Sequence, residues 1–190
     1  MNKGEFDAKV VLVTGAASGL GRAASVRFAQ EGAHVCLVDI NAAGLAETAR
    51  TITDAGGLCA NYCGDLGLPS NCTDAVNVAI EAFGRLDVLC NVAGILRFHA
   101  LADVSAEDWN KLFAVNVTAP FFMTQAAMPH LVESKGNVVN VASTAAFIGQ
   151  SYTAPYAATK AALLSLTRTA AGDLGPSGIT VNMVSGGLLR

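Results

Sequence analysis

The chain has 190 residues, 52% hydrophobic and only 14% charged, with 19 glycines and a formal net charge of −3. That length fits one domain with a substantial core, and the mild acidity without a basic run argues against a nucleic-acid or anionic-membrane surface. The opening stretch, acidic residues ahead of a run of only Val10 to Val13, is not a secretory leader, and no run of about 18 apolar residues is present to span a bilayer.

Low charge with many small residues fits a parallel sheet covered on both faces by helices, whose strands are apolar on both sides. Lys9 to Val13 reads as the first strand. Thr14-Gly15-Ala16-Ala17-Ser18-Gly19-Leu20-Gly21 follows, and then a helix over Arg22 to Glu31. Glycines in that position permit a tight turn, a close backbone approach to a pyrophosphate at the helix N-terminus, and close helix packing. A glycine-rich turn with no ligand is the plain alternative, and the strand before and helix after favour the phosphate role.

His34 to Val38 is a second strand, ending in Asp39 about 20 residues beyond the glycines, where an acidic side chain meets a ribose hydroxyl. The alternative for Asp39 is an exposed helix cap. Ala42 to Ala55 reads as a helix ended by Gly56-Gly57. Leu58 to Cys63 is a third strand closed by Asp65-Leu66, Pro69 to Phe83 a helix stopped by Gly84, and Leu86 to Cys90 a fourth strand running into Asn91-Val92-Ala93-Gly94. A helical region from about Ser105 to Glu133 contains Trp109 and Asn116, with Pro120 and Pro129 placed to bend it. Gly136 to Ala142 is the fifth strand, Pro155 to Leu174 a helix, and Ile179 to Val184 the sixth strand. This alternation predicts a single-domain, Rossmann-type doubly wound α/β sheet.

The stretch Ser143 to Lys160 carries the chemistry. Tyr156-Ala157-Ala158-Thr159-Lys160 on a helix puts Tyr156 and Lys160 one turn apart on one face. A nearby ammonium favours a phenolate, and a phenol so tuned exchanges protons near neutrality. Ser143 ends the fifth strand, at the sheet edge where open parallel sheets bind ligands. Alone, a tyrosine and lysine at this spacing are more often surface or packing residues.

Together, Thr14–Gly21, Asp65 before Leu66, Asn91-x-Ala93-Gly94, Asn116, Ser143 and Tyr156-x-x-x-Lys160 agree in order and spacing with one family. The chain resembles a short-chain dehydrogenase/reductase over nearly all its length. The resemblance implies an NAD-dependent oxidoreductase interconverting a secondary alcohol and a ketone. It makes Tyr156 the general acid/base, Lys160 its tuner and a ligand of the nicotinamide ribose, and Ser143 a donor to the substrate oxygen. Asn116 holds a helix kink and a proton-relay water. A buried structural amide is its other reading. Hydride passes directly between nicotinamide and substrate. The implied cofactor site consists of Gly15, Ser18, Gly19, Leu20 and Gly21 at the first turn, Asp39 and Ile40 after the second strand, and Asp65 and Leu66 after the third. Asn91, Ala93 and Gly94 after the fourth strand, then Tyr156, Lys160 and Gly187, complete it. Asp39 and the neutral Ser18 favour NAD over NADP.

Three departures are expected to matter. Val92 replaces a second Asn, losing a hydrogen bond that steadies the sheet. Ser185-Gly186-Gly187 replaces a Pro-Gly, loosening the backbone beside the nicotinamide. The chain ends at Arg190, before the family's carboxamide-binding Thr, lid and last strand, so an NAD-binding protein without turnover is the alternative function. Ile95, Ala145, Phe147 and Gln150 are expected to border an apolar substrate pocket. Apolar residues on the last two long helices, among them Phe113, Phe121, Phe122, Met123, Leu163, Leu164 and Leu166, predict a homodimer or homotetramer. Cys36, Cys59, Cys63, Cys72 and Cys90 are an odd set without metal or redox spacing, expected as buried free thiols of a cytoplasmic protein. No metal is expected.

Overall fold

The computed structural model describes residues 4–186. The apolar runs form six parallel strands, β1 Val10–Thr14, β2 His34–Asp39, β3 Leu58–Cys63, β4 Val88–Asn91, β5 Asn137–Val141 and β6 Thr180–Val184. Their order in the sheet is β3-β2-β1-β4-β5-β6. The crossovers carry α1 Gly19–Gln30, α2 Ala42–Asp54, α3 Pro69–Phe83, α4 Ala106–Phe113, α5 Ala119–Ser134 and α6 Ala154–Leu174.

Parallel pairing explains why β1 is apolar at every position. Leu12 packs on one face with Cys36, Val76, Met123 and Leu131, beneath α3 and α5. Val11 and Val13 pack on the other with Leu37, Leu45 and Ile52, beneath α1 and α2. Each such side chain contributes about 1.5–3 kcal/mol by leaving water. This is the doubly wound α/β sheet that the alternating pattern predicts. The chain runs outward from β1 to β3 and returns to β4 on the opposite side, so the crevice of an open sheet falls between β1 and β4 at their carboxyl ends.

Some boundaries differ from the sequence expectation. Helix α1 begins at Gly19 rather than Arg22, so Gly19 and Gly21 belong to its first turn. The region 105–133 is two helices joined by a π-helical turn, Ala114–Thr118, so the irregularity sits at Asn116, where the resemblance implies a kink, and not at either proline. Pro120 occupies the first turn of α5, where its missing N–H costs nothing, and α5 continues past Pro129. Met123 and Leu163 belong to the subunit's own core, so the spare apolar surface on α5 is narrower than expected and consists of Phe121, Met128 and Val132. The expectation of buried thiols holds for Cys36, Cys72 and Cys90, while Cys59 is half-buried and Cys63 exposed. Burial pushes Cys90 up to about 12 and Cys72 up to about 11.

At the edge away from the crevice, Asp87 is 3% exposed and joins the amino ends of β1 and β4. It accepts the Val10 N–H at 2.9 Å, Arg85 at 2.6 and 2.8 Å, and Lys9 at 3.1 Å. Burial works to raise its pKa, and the bonds from Arg85, Val10 and Lys9 overcome it, holding the carboxyl below its ordinary value. No helix among the described residues is long and apolar enough to cross a membrane.

Candidate active site and cofactor cleft

A cleft of about 430 Å³ opens at the carboxyl ends of β1 to β4, a size suited to a small ligand. Gly15, Ser18, Gly19, Leu20 and Gly21 line it from the first turn. Asp39 and Ile40, then Asp65 and Leu66, then Ala93 and Gly94 line it from the ends of the next three strands. Val92, Ile95, Lys111 and Val115 complete the wall.

Two glycines make this geometry possible. Gly15 has φ +72°, and a β-carbon there would lie 3.0 Å from the Ala93 backbone. A β-carbon on Gly21 would fall 2.0 Å from the Gly15 carbonyl oxygen, so the helix is pressed against its own entry turn rather than against a strand. Ser18 caps α1 in extended conformation with no side-chain bond. The first-turn N–H groups and the positive end of the helix therefore face the cleft.

Asp39 is fixed by two backbone donors, Ala17 N–H at 3.0 Å and Asn41 N–H at 2.9 Å, one on each oxygen. Each oxygen keeps a lone pair for a further donor. The helix cap that Asp39 was alternatively read as is supplied by Asn41, which accepts the Gly44 N–H at 3.0 Å. Asp65 accepts Lys111 Nζ at 2.8 Å and the Gly67 N–H at 2.9 Å. The Lys111 bond foremost, then that from Gly67, holds this carboxyl below its ordinary value.

Asn91 does not line the cleft. Its register partner across the sheet is Asn140, and its amide donates to the Asn140 oxygen at 2.9 Å, 2% exposed. Val92 has no side-chain polar group to bond, but its backbone is held all the same: Thr14 Oγ1 accepts the Val92 and Ala93 N–H groups, each at 3.0 Å. The loop after β4 is thereby tied to the end of β1. Gly187 lies outside the described residues. Its neighbour Gly186 accepts the Thr144 N–H at 3.2 Å, so this backbone is held beside the turn after Ser143.

The chemical end adjoins the cleft at Gly94. Lys160 is 4% exposed, donates to the Val141 carbonyl at 2.7 Å, and stands 5.7 Å from the centre of the Tyr156 ring. Burial pushes its pKa down to about 8. A β-carbon on Gly94 would come within 3.5 Å of Lys160 Nζ and 3.3 Å of Asn116 Oδ1, so glycine leaves the amine at the cleft wall. Asn116, wholly buried, clamps the Ile95 backbone by accepting its N–H at 2.8 Å and donating to its carbonyl at 2.9 Å. It also donates to Thr159 on α6 at 3.1 Å. Ser143 is half-buried and accepts the Ala145 N–H at 3.2 Å, and Tyr156 is half-buried on the first turn of α6. Ser143, Tyr156, Lys160 and Asn116 stand next to the cleft lining rather than in it. Of the residues expected around the substrate, Phe147 and Gln150 are exposed, Ile95 lines the cleft, and Ala145 is buried in its own turn.

A family model described as short chain dehydrogenase matches residues 9–190. The chain belongs to the short-chain dehydrogenase family. Among its relatives is the hydroxy(phenyl)methylsuccinyl-CoA dehydrogenase subunit BbsD of Thauera aromatica. It is 40% identical over 183 residues, which are 96% of this chain and 73% of the relative. Two solved family structures superpose closely. NAD-bound xylitol dehydrogenase gives a TM-score of 0.92 at 33% identity, covering 96% of this chain and 71% of that one. Carveol dehydrogenase from Mycobacterium avium in complex with NAD gives 0.91 at 29%, with the same coverages. This short-chain dehydrogenase is thus an oxidoreductase of a family that uses NAD or NADP on small molecules.

Several contributors were not assigned from the sequence. Lys111 is one: it lies 46 positions from Asp65, which was assigned, and the two meet only through the fold. Thr159, which lies between Tyr156 and Lys160, is another: it accepts from Asn116 and anchors it to α6. Thr14 carried a signal that could have been used, a hydroxyl closing an otherwise apolar strand.

Proposed function

We propose that this protein is an NAD-dependent oxidoreductase interconverting a secondary alcohol and a ketone, with Tyr156 as general acid/base. The observation that carries the reading is Lys160. A buried amine stands beside the Tyr156 ring, held by the Val141 carbonyl and separated from the cleft wall only by a glycine. A cation there favours the phenolate, which takes the proton from an alcohol and returns it to a ketone oxygen. Ser143 donates to the same oxygen, and Asn116 keeps the Ile95 loop against α6. The residues present fit a dinucleotide: the N–H groups at the start of α1 would hold its pyrophosphate, and the Asp39 carboxylate would accept from its adenosine ribose. When bound it supplies the hydride acceptor or donor at nicotinamide C4.

NAD rather than NADP is favoured because a 2′-phosphate would meet the Asp39 carboxylate. Two structural relatives were solved with NAD bound. Exposed Phe147 and Ile148, four and five positions beyond Ser143, favour a substrate with an apolar part next to its alcohol. Free thiols fit a reducing cytoplasm, and the exposed apolar residues of α5 fit a homo-oligomer.

The test is turnover of a panel of secondary alcohols with NAD and with NADP, read as reduced cofactor. NADH formation is expected to dominate, and Tyr156→Phe, which keeps the ring and removes the proton, should lower turnover at least 100-fold while NAD still binds. Equal rates in parent and variant would remove Tyr156 from its role.

A further inference from the structure

We infer that Glu47 is a second determinant of dinucleotide choice, acting through Arg22. The inference rests on the dinucleotide reading of the cleft. Arg22 follows Gly21 in the first turn of α1. Its Nη2 donates to the Ala17 carbonyl at 2.5 Å and to the Glu47 carboxylate, on α2, at 2.9 Å. Ala17 is also the residue whose N–H fixes Asp39. A guanidinium is therefore stationed within one residue of the carboxylate that faces the adenosine ribose. A cation near that carboxylate is what accepts a 2′-phosphate, and Arg22, though not itself in the cleft lining, is a cation bonded to the same residue.

Glu47 withholds that cation. Asp39, Arg22 and Glu47 together leave this corner with one net negative charge, which repels a phosphate twice over: Asp39 opposes it, and the counter-charge that could offset Asp39 is already paired. The pair is partly solvent-exposed, with Arg22 at 31% and Glu47 at 55%, so its contribution to folding is small. Its effect is on the direction of the fork. Arg22 Nε is buried without a hydrogen-bond partner, so the guanidinium has donor capacity that neither Ala17 nor Glu47 uses. An arginine released from a carboxylate binds phosphate with two parallel N–H bonds. Neither the glycine spacing nor the acidic strand end points to position 47, which lies on the second helix and reaches the site only through Arg22.

The experiment is calorimetric binding of 5′-AMP and of 2′,5′-ADP (adenosine 2′,5′-bisphosphate), which differ only in the 2′-phosphate, to the full chain. The reported quantity is the ratio of their dissociation constants, in a cycle of parent, Glu47→Gln, Arg22→Gln and the double variant. Glu47→Gln should shift the ratio about fivefold toward 2′,5′-ADP, the scale of one relieved repulsion at a partly exposed site. In the Arg22→Gln background the same change should leave the ratio unmoved, which a merely structural role for Glu47 would not produce. Glu47→Ala, read the same way, guards against an idiosyncrasy of the glutamine. An unmoved ratio in Glu47→Gln, or an equal shift in both backgrounds, overturns the inference. A parent that binds neither 5′-AMP nor NAD overturns the cofactor reading as well, so the two failures are told apart.

Discussion

Burying the Lys160 amine beside the Val141 carbonyl has a consequence for stability as well as for chemistry. Its pKa is pushed down from 10.5 to about 8 in the fold. Between those values the unfolded chain binds a proton that the cofactor-free folded chain does not, so stability rises with pH across that window. Below about 8 both states are protonated and the full burial cost is present. Lys160→Met should abolish this slope. Urea midpoints of the two proteins, followed from about pH 7 to about pH 10, should converge as pH rises, the variant having been the more stable at the lower end. Parallel curves would contradict the burial account. The Tyr156–Lys160 relation was legible in the sequence because helical periodicity alone sets it. The Lys111–Asp65 bond was not, because no local pattern relates positions joined only by the folded sheet.

At the scale of elements, the strands were legible and their ends were not. Apolar runs announce strands, but pairing decides where they stop: β1 extends to Thr14 because Val38 of β2 continues opposite it. Local pattern put the break between α4 and α5 at a proline and the family resemblance put a kink at Asn116; it falls at Asn116, whose amide is spent on Ile95 and Thr159. Asp87 had no assigned role, yet it clasps β1 to β4. Asp87→Ala should cost about 3 kcal/mol, the low end for breaking a buried ion pair, because the Arg85 and Lys9 side chains are half exposed and can return to water. Its carboxyl is held below its ordinary value of 3.8. The stability it contributes is therefore present above that value and lost as pH falls through the lowered one. Chemical denaturation of parent and variant at neutral and acidic pH checks both: the gap should be widest at neutrality and close in acid.

For the whole molecule, α5 and α6 leave an unfilled apolar face. Phe121, Met128 and Val132 are exposed, and a groove of about 260 Å³ runs between the helices past Phe121, Met128, Leu166 and Leu174. Apolar patches of this kind mark association surfaces. Sedimentation at micromolar concentration should find at least a dimer, and Phe121→Glu should shift it toward monomer. A parent that sediments only as monomer would reject the assembly. The strand order carries a different consequence. With β1 in mid-sheet, the corner holding Asp39, Glu47 and Asp65 hangs on strands β1 to β3, and the corner holding Ser143, Tyr156 and Lys160 hangs on β4 to β6. The two are joined by the β1–β4 ladder, by the core that Leu12 shares with Met123 and Leu131, by the Asp65–Lys111 bond, and at the crevice by the Thr14 hydroxyl on the loop after β4. On the proposed reading, coenzyme choice is therefore written in the first half of the gene and proton chemistry in the second, with the shared β1–β4 seam holding the two in register.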